Sequence, residues 1–460
     1  MLDEANAQTL AVLRRYADGD SNAAVICYGS SYIERTSLIR AFLRGRTVFT
    51  YTACCVSDRE QRRRLAAELG ARGGSLPEDP DYLSIFERIS ASLSGDGRLV
   101  VLLDHFEHFF YERNSFLKAL FSWLDNPACA GRIFVLLLSD AEVWVENAFV
   151  SRAGAEASKI SGFVKLRESR FLTLRKSFPT LSMRDAVCLY SVFGGETVLW
   201  ESYRPERSFR ENICTLFLEQ EHPFFRNLPM ERLKELVREP AIYATILANL
   251  ASGNEKLNDL FHATRIPRAK LSVYMKTLMA PGYVEKVFSY GTEGTARTKK
   301  GVYRISNAFF RFFYTCIYPH ESALWGMAAD KAYDLYLVPT LSSPANVAFR
   351  RICTEYIERL NEQERLPFAI EDMGEWNGKA GIIDMVAESG TGEALIGMCA
   401  YDRVLTEEDY HFLMQYAGQA GFHADYCYLF SGAGFGAELA AAAKHVSGLR
   451  LIGLEELAHG

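Results

Sequence analysis

Residues 24–43 run Ala24-Val-Ile-Cys-Tyr-Gly29-Ser-Ser-Tyr-Ile-Glu34-Arg35-Thr36-Ser-Leu-Ile-Arg-Ala-Phe-Leu43. The apolar run Val25 to Tyr28 predicts a strand that stops at Gly29. Leu38, Ile39 and Phe42 fall on one face of a helix starting near Thr36. Strand, glycine turn and helix are the frame of a phosphate-binding loop, G-x-x-x-x-G-K-[ST], in which Gly29 and Thr36 match. Glu34 stands where the second glycine belongs, and Arg35 where the lysine belongs. The glycine lets backbone N–H groups wrap phosphate oxygens, and the lysine reaches them as a compact charge. Glu34 instead brings a carboxylate to an anion site, and the wide planar fork of Arg35 suits a different geometry.

Working outward, residues 1–165 alternate strand-like and helix-like segments. Thr47–Thr52, Leu99–Leu103 and Ile133–Leu138 read as further strands, and Asp58–Leu69 and Tyr82–Leu93 as helices. Uninterrupted apolar strands between helices predict a parallel sheet covered on both faces. Asp104 ends the third strand, where an aspartate can hold Mg²⁺ through water. An acidic residue should follow it to polarise the attacking water, but His105 does, with Glu107 two residues further on. Ser139 ends the fourth strand, in the position of a sensor. An apolar strand ending in aspartate can also mark a plain turn. His105 and His108 beside Asp104 and Glu107 suggest a metal cluster, yet a loop edge explains them too, and no bound metal is predicted. Gln61 to Arg64 reads as the solvated face of a helix.

The chain has 460 residues, 49% hydrophobic and 23% charged, with a net charge of −6. That length allows two to four domains. The acidic balance provides no global attraction to nucleic acid, so any such binding must be local. No run approaches the roughly 18–20 apolar residues of a membrane span. The N-terminus lacks the basic and apolar regions of a secretion signal, which predicts a cytoplasmic protein. Ten cysteines without C-x-x-C spacing predict reduced thiols and no zinc site.

These motifs resemble the archaeal-type P-loop ATPases, a branch of the STAND/AAA+ class, over nearly the whole chain. The family pattern is a tyrosine-glycine phosphate loop, a strand ending Asp-Glu, a strand ending near Gly-Ser, a helical lid with Gly-Gly-x-Pro, and a winged helix. A terminal domain resembling the PD-(D/E)xK nucleases often follows. The implied architecture is α/β, with a P-loop NTPase core over 1–165, a helical lid over 166–235, a winged helix-turn-helix over 236–305, a helical linker over 306–335 and a nuclease-like α/β domain over 336–460. The lid motif is represented by Gly194-Gly195-Glu196-Thr197, with threonine in place of proline.

Residues 239–251, Lys256–Thr264 and Pro267–Leu278 read as three helices, and Tyr283–Val287 and Val302–Ile305 as two strands. This is the order of a winged helix whose third helix reads DNA. Residues 262–304 carry nine basic side chains against two acids. Arg268 and Lys270 on the third helix, with Lys299 and Lys300 on the wing, are the candidate phosphate contacts. Winged helices also serve as protein-interaction modules. Phe309 to Tyr314 reads as a packing helix.

In the terminal domain the resemblance implies Phe-Glu on the first helix, then Ile-Asp, then Glu-Cys-Lys. Phe349, Ile383, Asp384 and Cys399 match, while Arg350, Met398 and Ala400 replace the glutamate, glutamate and lysine. One carboxylate cannot hold a catalytic metal pair. The expectation is a degenerate member of the family that binds nucleotide or DNA as a regulator, with ATP hydrolysis and nuclease activity lost and ATP and Mg²⁺ held weakly if at all. Two alternatives stand beside it: an active ATPase in which Arg35 serves as the lysine, and a scaffold for a protein partner.

Overall fold

The computed structural model describes residues 4–29, 35–70, 77–91, 97–110, 115–219, 224–292, 301–378 and 381–459. Glu34, Arg297, Lys299 and Lys300 lie outside them. The chain divides into two compact units, Met1–Glu168 and Ser169–Gly460, each described by itself.

The first unit is built on β1 (Ala23–Tyr28), β2 (Thr47–Thr52), β3 (Leu99–Asp104), β4 (Ile133–Ser139) and β5 (Gly162–Lys165). They form one sheet in the order β2-β3-β4-β1-β5, with every pairing parallel. The four strands predicted from apolar runs are present. The short β5 was not predicted. The sheet is buried on both faces because successive side chains of a strand point to opposite sides. Ala24 and Ile26 join a cluster with Phe86, Phe109, Phe116 and Trp123. Ala23, Val25 and Cys27 join another with Leu10 and Leu13 of α1 (Glu4–Ala17) and Leu38, Ile39 and Phe42 of α2 (Thr36–Leu43). Phe109 and Phe116 stack at 4.2 Å between ring centroids. Burial of each such ring contributes about 1.5–3 kcal/mol.

From β1 the chain travels to β2 on one side, and from the adjacent β4 it crosses to β5 on the other. Open parallel sheets bind ligands outside the carboxyl ends of their strands where connections diverge in this way. Gly29, Asp104 and Ser139 all stand at that end.

The second unit opens with helices. Among them α3 (Met183–Phe193) is capped by Ser182 and closed by Gly194, which turns out of the helix at φ 55°. Next come α4 (Phe224–Leu236), α5 (Pro240–Ala251), α6 (Leu257–Thr264) and α7 (Arg268–Met279), then the antiparallel pair β6 (Val284–Val287) and β7 (Val302–Ile305). Leu260, Leu271, Met275 and Leu278 form the buried side of the three-helix segment. Phe309, Phe310, Phe312 and Phe313 are buried, as expected of a packing helix.

The long α8 (Ser342–Glu362) precedes a mixed sheet of β8 (Asp372–Asn377), β9 (Ile382–Glu388), β10 (Ala394–Ala400), β11 (Tyr426–Ser431) and β12 (Leu449–Gly453). Its order is β12-β11-β10-β9-β8, antiparallel from β8 to β10 and parallel from β10 to β12. α9 (Glu407–Ala420) connects β10 to β11. The polar edge strand β8 was not predicted from the sequence. The winged helix, linker and terminal domain, and the lid from Ser169 on, which the sequence reads as separate modules, fall within this one unit.

Candidate functional sites

Parallel pairing of β1 with β4 sets Tyr28 opposite Ser139, and the Gly29 N–H donates to the Ser139 carbonyl at 3.2 Å. The Ser139 hydroxyl is buried and accepts from the Ala141 N–H at 3.0 Å, closing the local turn. Arg35 occupies the N-cap of α2, and Thr36 is the exposed first residue of that helix. The Arg35 guanidinium turns onto Asp104, with Nη2 3.0 Å from Oδ1 and 3.4 Å from Oδ2. Asp104 also accepts the His105 N–H at 2.9 Å. The surviving aspartate of the third strand is therefore paired with an internal cation. Glu34 is not among the described residues.

His105 has φ 52°, a backbone region that a non-glycine residue seldom enters. This turns its imidazole between two carboxylates, Nδ1 lying 3.4 Å from both Glu107 and Asp140. The adjoining carboxylates of Asp140 and then Glu107 push the imidazole pKa up to about 10, and the same contact holds Asp140 below its ordinary range. The sequence singled out neither Asp140 nor the turn of His105, though Asp140 directly follows Ser139.

In the second unit Arg350, on α8, stands at the position where the resemblance implies a glutamate. Its Nε lies 2.9 Å from Asp384 Oδ1, and its Nη1 donates to Glu375 at 3.0 Å. The Cys399 N–H donates to the other Asp384 oxygen at 2.8 Å. Arg304 completes the network, donating to both Glu375 oxygens at 2.7 and 3.0 Å and to Glu255 at 3.1 Å. Burial pushes the Asp384 carboxyl above its ordinary range and Arg350 draws it back. Met398 offers a thioether approached by Arg403 at 3.9 Å, and Ala400 is buried. Glu375 was not foreseen because its strand was not.

The basic residues of the three-helix segment separate into two groups. Lys270 and Lys276 are exposed on α7, while Arg268 is exposed but donates to Asn258 and lies 5.2 Å over the Phe261 ring. Arg304, counted in the sequence as part of a free patch, is half-buried in the carboxylate network, which corrects that reading. Lys286 packs over Phe288 and Tyr303 at 4.7 and 5.7 Å. The Gly194-Gly195-Glu196-Thr197 motif is an internal joint: Glu196 is buried, paired with Arg232 at 2.7 Å and accepting from Asn307 at 2.6 Å.

The first unit is an α/β core with an all-parallel sheet, followed in the chain by a helical segment. Comparisons with known proteins give the following similarities. The DUF234 family, described as archaeal and bacterial proteins of unknown function, matches residues 313–411. An uncharacterised protein of Methanocaldococcus jannaschii is 21% identical over 389 residues, 83% of each chain. Among solved structures, a Walker-type ATPase of Pyrococcus abyssi is similar over 68% of this chain and 96% of its own, at 15% identity and a TM-score of 0.46. The ORC2 protein of Aeropyrum pernix is similar over 75% and 93%, at 15% identity and a TM-score of 0.42. Among the described residues no helix is long and apolar enough to cross a membrane.

Proposed function

We propose that this chain is a regulatory protein built on a nucleotide-binding fold, with both of its metal-dependent chemistries lost, and that it works by binding, with DNA as the favoured ligand. The observation that carries this reading occurs twice. Each aspartate that a metal would need is salt-bridged by an arginine standing at a degenerate motif position: Arg35 on Asp104 and Arg350 on Asp384. A guanidinium held at 2.9–3.0 Å occupies the carboxylate that would otherwise attract a divalent cation. The residues described at the first site therefore do not fit Mg²⁺ and a triphosphate. The helix–strand–strand–strand–helix–strand order from Ser342 to Ser431 supports a nuclease-like ancestry for the terminal domain. There Met398 and Ala400 supply neither a hard ligand nor a base.

DNA contact is supported by the exposed Lys270, Lys276 and Arg268 on α7, the helix that would read the major groove in a winged helix. A second reading, a protein-interaction scaffold, draws on the engagement of Arg304 by carboxylates, which removes one cation from the patch.

Calorimetry with ATP and Mg²⁺, paired with a turnover assay, tests the first part. Negligible hydrolysis is expected. A turnover near about 1 s⁻¹, the low end for ordinary enzymes, lost on Asp104→Asn, would refute it. Titration with duplex DNA at about 50 mM salt, where the electrostatic term is strong, separates the two modes of binding. The absence of any shift there selects the protein scaffold.

A further inference from the structure

We propose that His105, Glu107 and His108 form a binding site for a divalent transition-metal ion of the zinc class, at the carboxyl end of β3. Among the described residues, these are the one group of three His, Cys, Asp or Glu whose donor atoms all lie within 4.8 Å of one another. The site does not depend on the nucleotide or DNA readings and uses neither Asp104 nor Arg35.

Three features carry it. The first is spacing. His105 Nδ1 is 3.4 Å from Glu107 Oε1 and 3.4 Å from Asp140 Oδ1, long for an N–H···O bond, which favours about 2.7–3.2 Å. The His105–Glu107 separation equals the edge of a tetrahedron of donors set about 2.1 Å from a central ion, the bond length of zinc to imidazole and carboxylate. The second is unused capacity. Glu107 Oε2 is buried and has no hydrogen-bond partner among the described residues.

The third is support. The 3₁₀ turn Phe106–Phe110 sinks Phe106, Phe109 and Phe110 into the core, leaving Glu107 and His108 partly exposed beside His105. The imidazoles of His105 and His108 lie 6.0 Å apart, inclined at 26°. Two imidazoles and a carboxylate select zinc, cobalt, nickel or copper over magnesium, which prefers an all-oxygen shell. Asp140 adds a second carboxylate charge on the side of His105; once the ion displaces to solvent the proton that these carboxylates hold on His105, two neutral histidines and two carboxylates balance a divalent ion. Such an ion would brace the turn that follows β3, beside Asp140 after β4, at the edge where a nucleotide fold performs its chemistry.

The test uses the full chain, stripped with a chelator and carrying Cys54→Ser and Cys55→Ser, because Cys54 is partly exposed and Cys55 exposed. Zinc chloride is titrated calorimetrically, and cobalt chloride by visible absorption. One equivalent of each is expected to bind at micromolar concentration or tighter. The cobalt complex should show ligand-field bands with no thiolate-to-cobalt charge transfer.

His108→Gln removes a ligand and should weaken binding by more than the 10–100-fold typical of losing an outer-shell partner. Asp140→Asn should remain within that range. Glu107→Gln, which keeps the side chain's shape, guards against a folding defect in the histidine variant. Equal affinity in wild type, His108→Gln and Glu107→Gln would overturn the proposal and leave the cluster as a histidine bridged by two carboxylates. A thiolate charge-transfer band would overturn it equally, by moving the ion to cysteine.

Discussion

Replacing Arg350 with methionine leaves two inward-facing carboxylates short of a cation. Arg350 contacts Asp384 at 2.9 Å and Glu375 at 3.0 Å; the arginine side chain is 31% exposed and each acid 11%. Removing one partner of a fully buried pair costs about 3–5 kcal/mol. Arg350 is partly solvated and Glu375 keeps Arg304, so the expected loss is smaller, about 2–3 kcal/mol. In urea that corresponds to a fall of about 1 M in the midpoint of the second unit's transition. Asp384→Asn in the same background should recover part of the loss, giving a coupling of about 1–2 kcal/mol in a double-mutant cycle.

The pH dependence has a definite sign. Burial holds the folded-state Asp384 carboxyl above its ordinary value, so this group favours the folded state in acid, and that contribution is lost as pH rises through the folded value. Without Arg350 the carboxyl rises further. The deficit of Arg350→Met should therefore be greatest at neutral to alkaline pH and shrink toward acid. A loss below about 0.5 kcal/mol, the usual range of an inert surface change, would refute the reasoning, as would a deficit that does not change with pH.

Glu34→Gly combined with Arg35→Lys should strengthen ATP binding in calorimetry, since it removes a carboxylate and releases Asp104 from the guanidinium; a folded double variant with unchanged affinity would mean that the pocket is closed by other side chains. If α7 binds DNA, Arg268→Ala with Lys270→Ala should lower the salt slope by about two, one for each phosphate contact, with little loss of stability because both are exposed. Lys299→Ala with Lys300→Ala should act in the same direction, and an unchanged slope in both variants would place the contact elsewhere.

The central strands were legible because β1, β3 and β4 are buried on both faces and so consist of continuous apolar residues. β5 escaped notice because its four residues, Gly162–Lys165, bury little more than Val164. β8 escaped because Asp-Met-Gly-Glu-Trp-Asn is half polar, as suits an edge strand that faces solvent and an ionic network. The degenerate motif positions were visible one by one. The two arginine–aspartate pairs were not, since they join residues 69 and 34 apart and depend on which way a guanidinium turns. Arg304 looked like one more basic side chain until Glu375 was placed opposite it. Nothing in the letters His-Phe-Glu-His signals that His105 has a left-handed backbone.

β8 is the last strand of its sheet, so its outer side has no strand partner among the described residues. The segment after β6 runs alongside it: the Tyr290 N–H donates to the Glu375 carbonyl at 2.7 Å, and the Asn377 N–H donates to the Ser289 hydroxyl at 2.9 Å. An open sheet edge is a template for the strands of other molecules, and this one is partly covered by its own chain. Ser289 and Tyr290 thus have a colloidal duty, independent of any ligand. Trimming them should leave the sheet folded but prone to associate edge to edge, so self-association would have to be measured before any loss of DNA binding in a shortened hairpin could be credited to missing contacts.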